Sequence, residues 1–195
     1  PALPAAPTDT SVLTIDGAAS EVRILVFRGG AAARMGHNHV LAVHALTGWV
    51  VAPAVGGAFA LQFALADLQV DPPALLAAQG PAFNDRPRGE EDRSGTLRNL
   101  LKSTEAGRWP TVQLVSTTVT GEGTARVAEV AVHLHGTIRH ETVAITVEQT
   151  GAQLIASGTL VIRQSDYGIT PFSVMGGLLA VQDPLLIHFR VVARA

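Results

Sequence analysis

Residues 57–70 read GAFALQFALADLQV. Phe59, Leu61, Phe63 and Leu65 fall on alternate positions, with mostly alanine between them. Side chains of an extended chain alternate faces with a period of two, so the segment has one bulky apolar face and one small face. Its Ala/Leu mix also suits a helix, and the strand reading rests on the alternation and on the neighbouring pattern. A strand of this kind fits a curved sheet wrapped around an apolar interior.

The flanking sequence repeats the signal. Residues 20–28 (SEVRILVFR) and 39–52 (HVLAVHALTGWVVA) are rich in Val, Ile, Leu and Phe, with Gly or Pro at their margins. Further strands are predicted at 111–120, 124–135, 137–148 and 153–163, separated by GEG (121–123), Gly136 and GAQ (151–153). Separators this short imply antiparallel order, because parallel pairs need long crossovers. The last run, 184–193, sets Leu185, Ile187, Phe189 and Val191 against Leu186, His188, Arg190 and Val192.

The expected fold is all-β: a single antiparallel, lipocalin-like β-barrel of about eight strands. Residues 72–108 depart from it, with no alternation and a concentration of charge. Glu90, Glu91 and Asp92 precede Leu97, Leu100 and Leu101, with Lys102 towards the end, the order a helix dipole favours. A short helical insertion placed here would cap a barrel mouth. Residues 1–9 form an extended lead-in and 10–195 one barrel domain.

Composition narrows the function. Of 195 residues, 47% are hydrophobic and 15% charged, an apolar balance that must be buried inside or spent on a greasy ligand. No apolar run approaches the length of a transmembrane helix. A net charge of −2, without a basic stripe and with one Tyr, argues against a nucleic-acid partner. The absence of cysteine removes disulfides, thiolate metal sites and Cys nucleophiles. The Pro/Ala-rich start PALPAAPTDT is what a mature exported protein shows after its signal peptide is removed. No nucleophile elbow, Walker loop, dinucleotide fingerprint or H-E-x-x-H motif is present, so no enzyme is expected.

Two histidine pairs stand out: His37 and His39 in RMGHNHV (34–40), and His133 and His135 in VHLHG (132–136). Each i, i+2 pair on a strand would share a face, and the four together could hold Zn²⁺, Cu²⁺ or haem, with Met35 as an extra donor. The other reading is a polar rim, where Arg34, His37 and His39 meet a ligand head group. His44, His140 and His188 read as isolated or surface positions. The apolar loop in 163–183, with Phe172, Met175 and the Gly176-Gly177 break, reads equally as a gate to an apolar cavity or as a loop folded onto the barrel end.

The order of these segments resembles the YceI-like family. The resemblance is carried by Trp109-Pro110-Thr111-Val112 after the helices, by Val132-His133-Leu134-His135-Gly136-Thr137 with Arg139, and by Gln164-Ser165-Asp166-Tyr167-Gly168. It spans roughly residues 10–193. It implies a lipocalin-like barrel around a long apolar tunnel, in an exported bacterial protein, periplasmic or secreted, that binds polyisoprenoids or related lipids.

On this reading the chain is a non-enzymatic binding protein holding a quinone or polyprenyl phosphate type of ligand. Ligand-binding candidates are Phe27, Arg34, His37, His39, Phe59, Leu61, Phe63, Leu114, Tyr167, Phe172 and Met175. The alternative is a periplasmic metal- or haem-binding protein using His37/His39 with His133/His135. A homodimer is left open.

Overall fold

Ala58–Ala64 is extended in the computed structural model, which describes residues 2–8 and 10–195. Within the lead-in, positions 1 and 9 lie outside the described residues, and the Pro4 carbonyl accepts a 2.8 Å hydrogen bond from Trp49 Nε1. The described strands are β1 (Val12–Ile15), β2 (Glu21–Gly29), β3 (His39–Val43), β4 (Thr47–Val51), β5 (Ala58–Ala64), β6 (Leu68–Val70), β7 (Thr111–Thr120), β8 (Ala125–Leu134), β9 (Thr137–Thr150), β10 (Gln153–Arg163), β11 (Ser173–Val174) and β12 (Leu179–Arg194). The helices are α1 (Pro73–Ala78) and α2 (Glu90–Ser103).

Eight strands close a ring in the order β1-β4-β5-β7-β8-β9-β10-β12, with β12 returning to β1 through Thr14 opposite Arg194. Beyond that closure the long β12 also pairs β2, and the sheet continues through β3 to β6. Every one of these pairings is antiparallel, as the short separators require.

Two sequence segments read as single strands are divided. The 39–52 segment breaks after Val43, because β3 pairs with β2 and β6 whereas β4 pairs with β1 and β5. The chain therefore changes neighbours at 44–46, where Leu46 turns inward. The 57–70 segment breaks at a 3-10 turn over Leu65–Asp67, where the β5–β7 ladder ends with the Leu65 N–H donating to the Pro110 carbonyl at 2.9 Å.

The β8–β9 hairpin turns on His135 (φ 54) and Gly136 (φ 71), the pair of positive angles of a type I′ turn, which matches the right-handed twist of the strands. A Cβ at Gly136 would lie 2.5 Å from the Trp109 ring, so the same glycine lets the aromatic residue ahead of β7 pack on the turn. Asp92 in α2 accepts the Gly89 N–H at 2.9 Å, placing the acidic triplet at the helix N-terminus. Leu97, Leu100 and Leu101 lay the other face of α2 on the barrel core.

Candidate functional site: an apolar cavity with a histidine–aspartate end

The inward faces of the strands leave a cavity of about 310 Å³. Its wall is the alternating apolar set: Val22, Ile24 and Val26 of β2, Phe59, Leu61 and Phe63 of β5, and Leu185, Ile187, Phe189 and Val191 of β12. Cross-strand register puts Leu61 directly opposite Leu114. Along β10 the lining runs from Leu154 to Ile162, roughly 27 Å of strand at about 3.4 Å per residue. The space is long rather than round.

Polar lining is confined to its ends. Arg126 stands at the start of β8, by the 121–124 turn. At the other end are His39, Gln164 and the α2 face formed by Thr96, Asn99, Ser103 and Thr104. The helical insertion thus closes this end, together with Leu100 and with Phe172 from the 163–183 loop.

His39 is the first residue of β3, opposite Val26 of β2. Its Nδ1 lies 2.8 Å from Asp71 Oδ2, and Asp71 Oδ1 accepts the Val40 N–H at 2.8 Å. Asp71 follows β6 in a left-handed conformation (φ 50) and is 1% exposed. Behind it, Arg88 Nη1 is 3.4 Å from Asp71 Oδ2, while Nη2 donates to the Phe83 carbonyl at 2.7 Å and to Asp85 at 3.3 Å. The Arg88 Nε and Nη1 atoms are buried without a hydrogen bond among the described residues, so this guanidinium depends on the two carboxylates for its compensation.

A second layer lies outside the wall. Asp85 takes a 2.9 Å hydrogen bond from Arg28 and sits 3.4 Å from His37 Nδ1. Burial holds the His37 imidazolium below its ordinary pKa, helped by the Arg88 and Arg86 charges and opposed by Asp85. Burial pushes the Asp85 carboxyl up, but hydrogen bonds from His37 and Arg28 outweigh it and leave the group below its ordinary value. Asn38 stitches the layer together, accepting the Arg28 N–H at 2.9 Å and donating to the Ala82 carbonyl at 3.0 Å.

The sequence candidates therefore separate. Phe59, Leu61, Phe63, Leu114, Phe172 and His39 line the cavity. Phe27 instead packs edge-on against Phe83 at 5.5 Å, in a small cluster with Leu25, Val40 and Leu76, because it occupies the opposite face of β2 from Val26. Arg34 and Met35 lie on an exposed 3-10 turn (Ala33–Met35), with Met35 66% exposed. Met175 is equally exposed, at the tip of the 163–183 loop. Tyr167 is fully buried but off the cavity wall, and its hydroxyl donates to Glu141 at 3.0 Å.

Neither histidine pair acts as a strand-face chelate. His37 precedes β3, and its ring stands 6.2 Å from that of His39 at 68°, one ring in the outer layer and the other at the cavity. His133 lies in β8 between the cavity residues Val132 and Leu134, hence on the outer face. His135 belongs to the turn and is held by the Tyr167 carbonyl, 3.0 Å from its Nδ1. Among the described residues no group of three or more His, Cys, Asp or Glu side chains is arranged to hold a metal ion.

Asp71 and Arg88 are absent from the sequence candidates, and Gln164 enters there only through the family motif, without a site role. Asp71 carried one signal, a lone carboxylate between Val70 and Pro72 at the end of an apolar strand. Arg88 carried none, because a basic residue in a charged insertion reads as solvated. The 164–168 turn is tied to the start of β12. Gln164 Nε2 donates to the Gln182 carbonyl at 2.9 Å, and Ser165 binds the Asp183 carboxylate through its N–H at 2.8 Å and its hydroxyl at 2.6 Å.

The family model of the YceI-like domain matches residues 13–193. Several solved structures share the fold. The Burkholderia cenocepacia protein BcnA is 19% identical with a TM-score of 0.67, covering 92% of this chain and 99% of its own. A polyisoprenoid binding domain from Saccharophagus degradans, implicated in plant cell wall breakdown, is 11% identical with a TM-score of 0.65, covering 94% and 98%. The Campylobacter jejuni YceI protein is 10% identical with a TM-score of 0.58, covering 80% and 84%. No curated protein matches the sequence.

Proposed function

The chain belongs to the YceI-like family, and from that premise we propose that it is a non-enzymatic carrier of a long-chain isoprenoid or related lipid of quinone or polyprenyl type. The observation that carries this reading is the elongated apolar cavity with polar groups only at its ends. A flexible hydrocarbon tail fits such a space, and each buried methylene contributes about 0.8 kcal/mol, so the tail alone supplies affinity. Lipocalin-sized barrels hold one ligand in this way. The tail lies along the cavity, with the head among His39, Gln164 and the α2 side chains.

In this reading the carrier works in the periplasm or outside the cell, as the family resemblance implies. Fractionation of the native host tests the location: an exclusively cytoplasmic protein contradicts it. Organic extraction of the purified protein followed by mass spectrometry tests the ligand. Recovery of a prenylated lipid supports the reading. Recovery of none, together with no binding of added quinone, overturns it.

A further inference from the structure

The carboxylate behind His39 decides what the imidazole offers to the cavity. Asp71 already accepts the Val40 N–H and faces the Arg88 guanidinium, so it has hydrogen-bond acceptors only. The 2.8 Å contact is then Nδ1–H donating to Asp71 Oδ2, which assigns the lone pair of the neutral tautomer to Nε2. Nε2 has no hydrogen-bond partner among the described residues, and the side chain carrying it forms part of the cavity wall. A lone pair at the end of an apolar tunnel calls for a donor.

We propose that the lipid carried here ends in a hydroxyl group, as a prenol or a quinol does, and that this O–H donates to His39 Nε2. The proposal rests on the carrier reading and selects among its ligands. It disfavours a phosphate head for an electrostatic reason. Arg88 is occupied by Asp71 and Asp85, and Arg28 by Asp85. Among the described residues lining the cavity, the only Arg or Lys is Arg126, at the far end. A dianion near His39 would face the Asp71 carboxylate with no Arg or Lys on the cavity wall at that end to offset it. Thr96 and Asn99 of α2 supply neutral donors for the remaining lone pairs of a hydroxyl oxygen.

The test uses the full chain stripped of endogenous lipid and three probes with one tail: geranylgeraniol, its methyl ether and geranylgeranyl phosphate. Titration calorimetry gives their dissociation constants. The expected order is alcohol tightest, with the ether on the order of tenfold weaker, as befits one hydrogen bond to an otherwise unpaired acceptor, and the phosphate weaker still. In His39→Phe the alcohol and ether become equal to within about twofold while both still bind, since the apolar wall is intact. Asp71→Asn removes the same preference by letting an amide donate to Nδ1 and moving the ring proton to Nε2. Equal affinity of alcohol and ether in the unmodified protein overturns the proposal without any variant, as does tightest binding of the phosphate. Failure of all three probes to bind overturns the carrier reading itself.

Discussion

Asp71 and His39 meet at 2.8 Å across the end of the cavity, although they sit on different strand ends, 32 residues apart. The contact forms because β3 and β6 are neighbours, with Leu41 opposite Val70. It carries a stability cost if broken. Asp71→Ala leaves the Val40 N–H unpaired and strips the buried Arg88 of one of two carboxylates. The expected loss is about 3–5 kcal/mol, read from the denaturant midpoint. Adding Arg88→Met should restore part of it, because the stranded charge is gone. A loss no larger than that of an exposed Asp→Ala control would show that the pair is not load-sharing.

Leu114 lies beside Leu61 on the neighbouring strand and both line the cavity, so Leu114→Trp places an indole in the cavity instead of against packed side chains. Overpacking a filled core costs about 1–3 kcal/mol, and here most of that cost is absent. The variant should fold with an unchanged far-ultraviolet circular dichroism spectrum. Its content of extractable lipid should fall by on the order of tenfold, since each methylene shut out forfeits about 0.8 kcal/mol. Undiminished lipid content would place the ligand elsewhere.

Tyr167 is the only tyrosine in the chain, which makes its titration directly visible by ultraviolet absorbance. Burial, reinforced by the Glu141 and Asp166 carboxylates, pushes its phenol well above the ordinary range. The unfolded chain ionises near pH 10, so it gains phenolate before the folded protein does. This contribution to stability is complete below about pH 10 and is lost as the pH rises through the folded value. Tyr167→Phe should flatten the alkaline limb of the stability profile. A native phenol titrating near pH 10 would contradict the burial argument.

Gly136→Ala should be costly for two reasons acting together. The backbone there has φ 71, and the new Cβ would approach the Trp109 ring to 2.5 Å. The expected destabilisation is about 1–3 kcal/mol, measured by thermal melting. Trp109→Leu in the same background should recover the steric share and leave the backbone share.

Much of the molecule is legible without coordinates because strand alternation is a local property. Phe59, Leu61, Phe63 and Leu65 share a face in any extended chain, and all four line the cavity. Leu185, Ile187, Phe189 and Val191 follow the same rule. The brief separators dictate antiparallel hairpins, and the acidic start of α2 announces its N-terminus. Alternation becomes unreliable at strand ends. Phe27 lies one position from Val26 and so on the outer face, and the His-x-His motifs straddle strand boundaries, so period two does not apply to them.

The sequence by itself determined an antiparallel barrel with an apolar interior and a helical cap, since composition, alternation and turn spacing act over a few residues at a time. Only the tertiary structure decided which end of the tunnel is polar and what stands there. Asp71, Arg88 and His39 come from three separate segments, and no local pattern links them. Their pairing follows from β3 lying beside β6 and from the insertion folding back over both. Burial then turns a surface-like arginine and a lone aspartate into a matched pair, because charges removed from water persist only where they find each other.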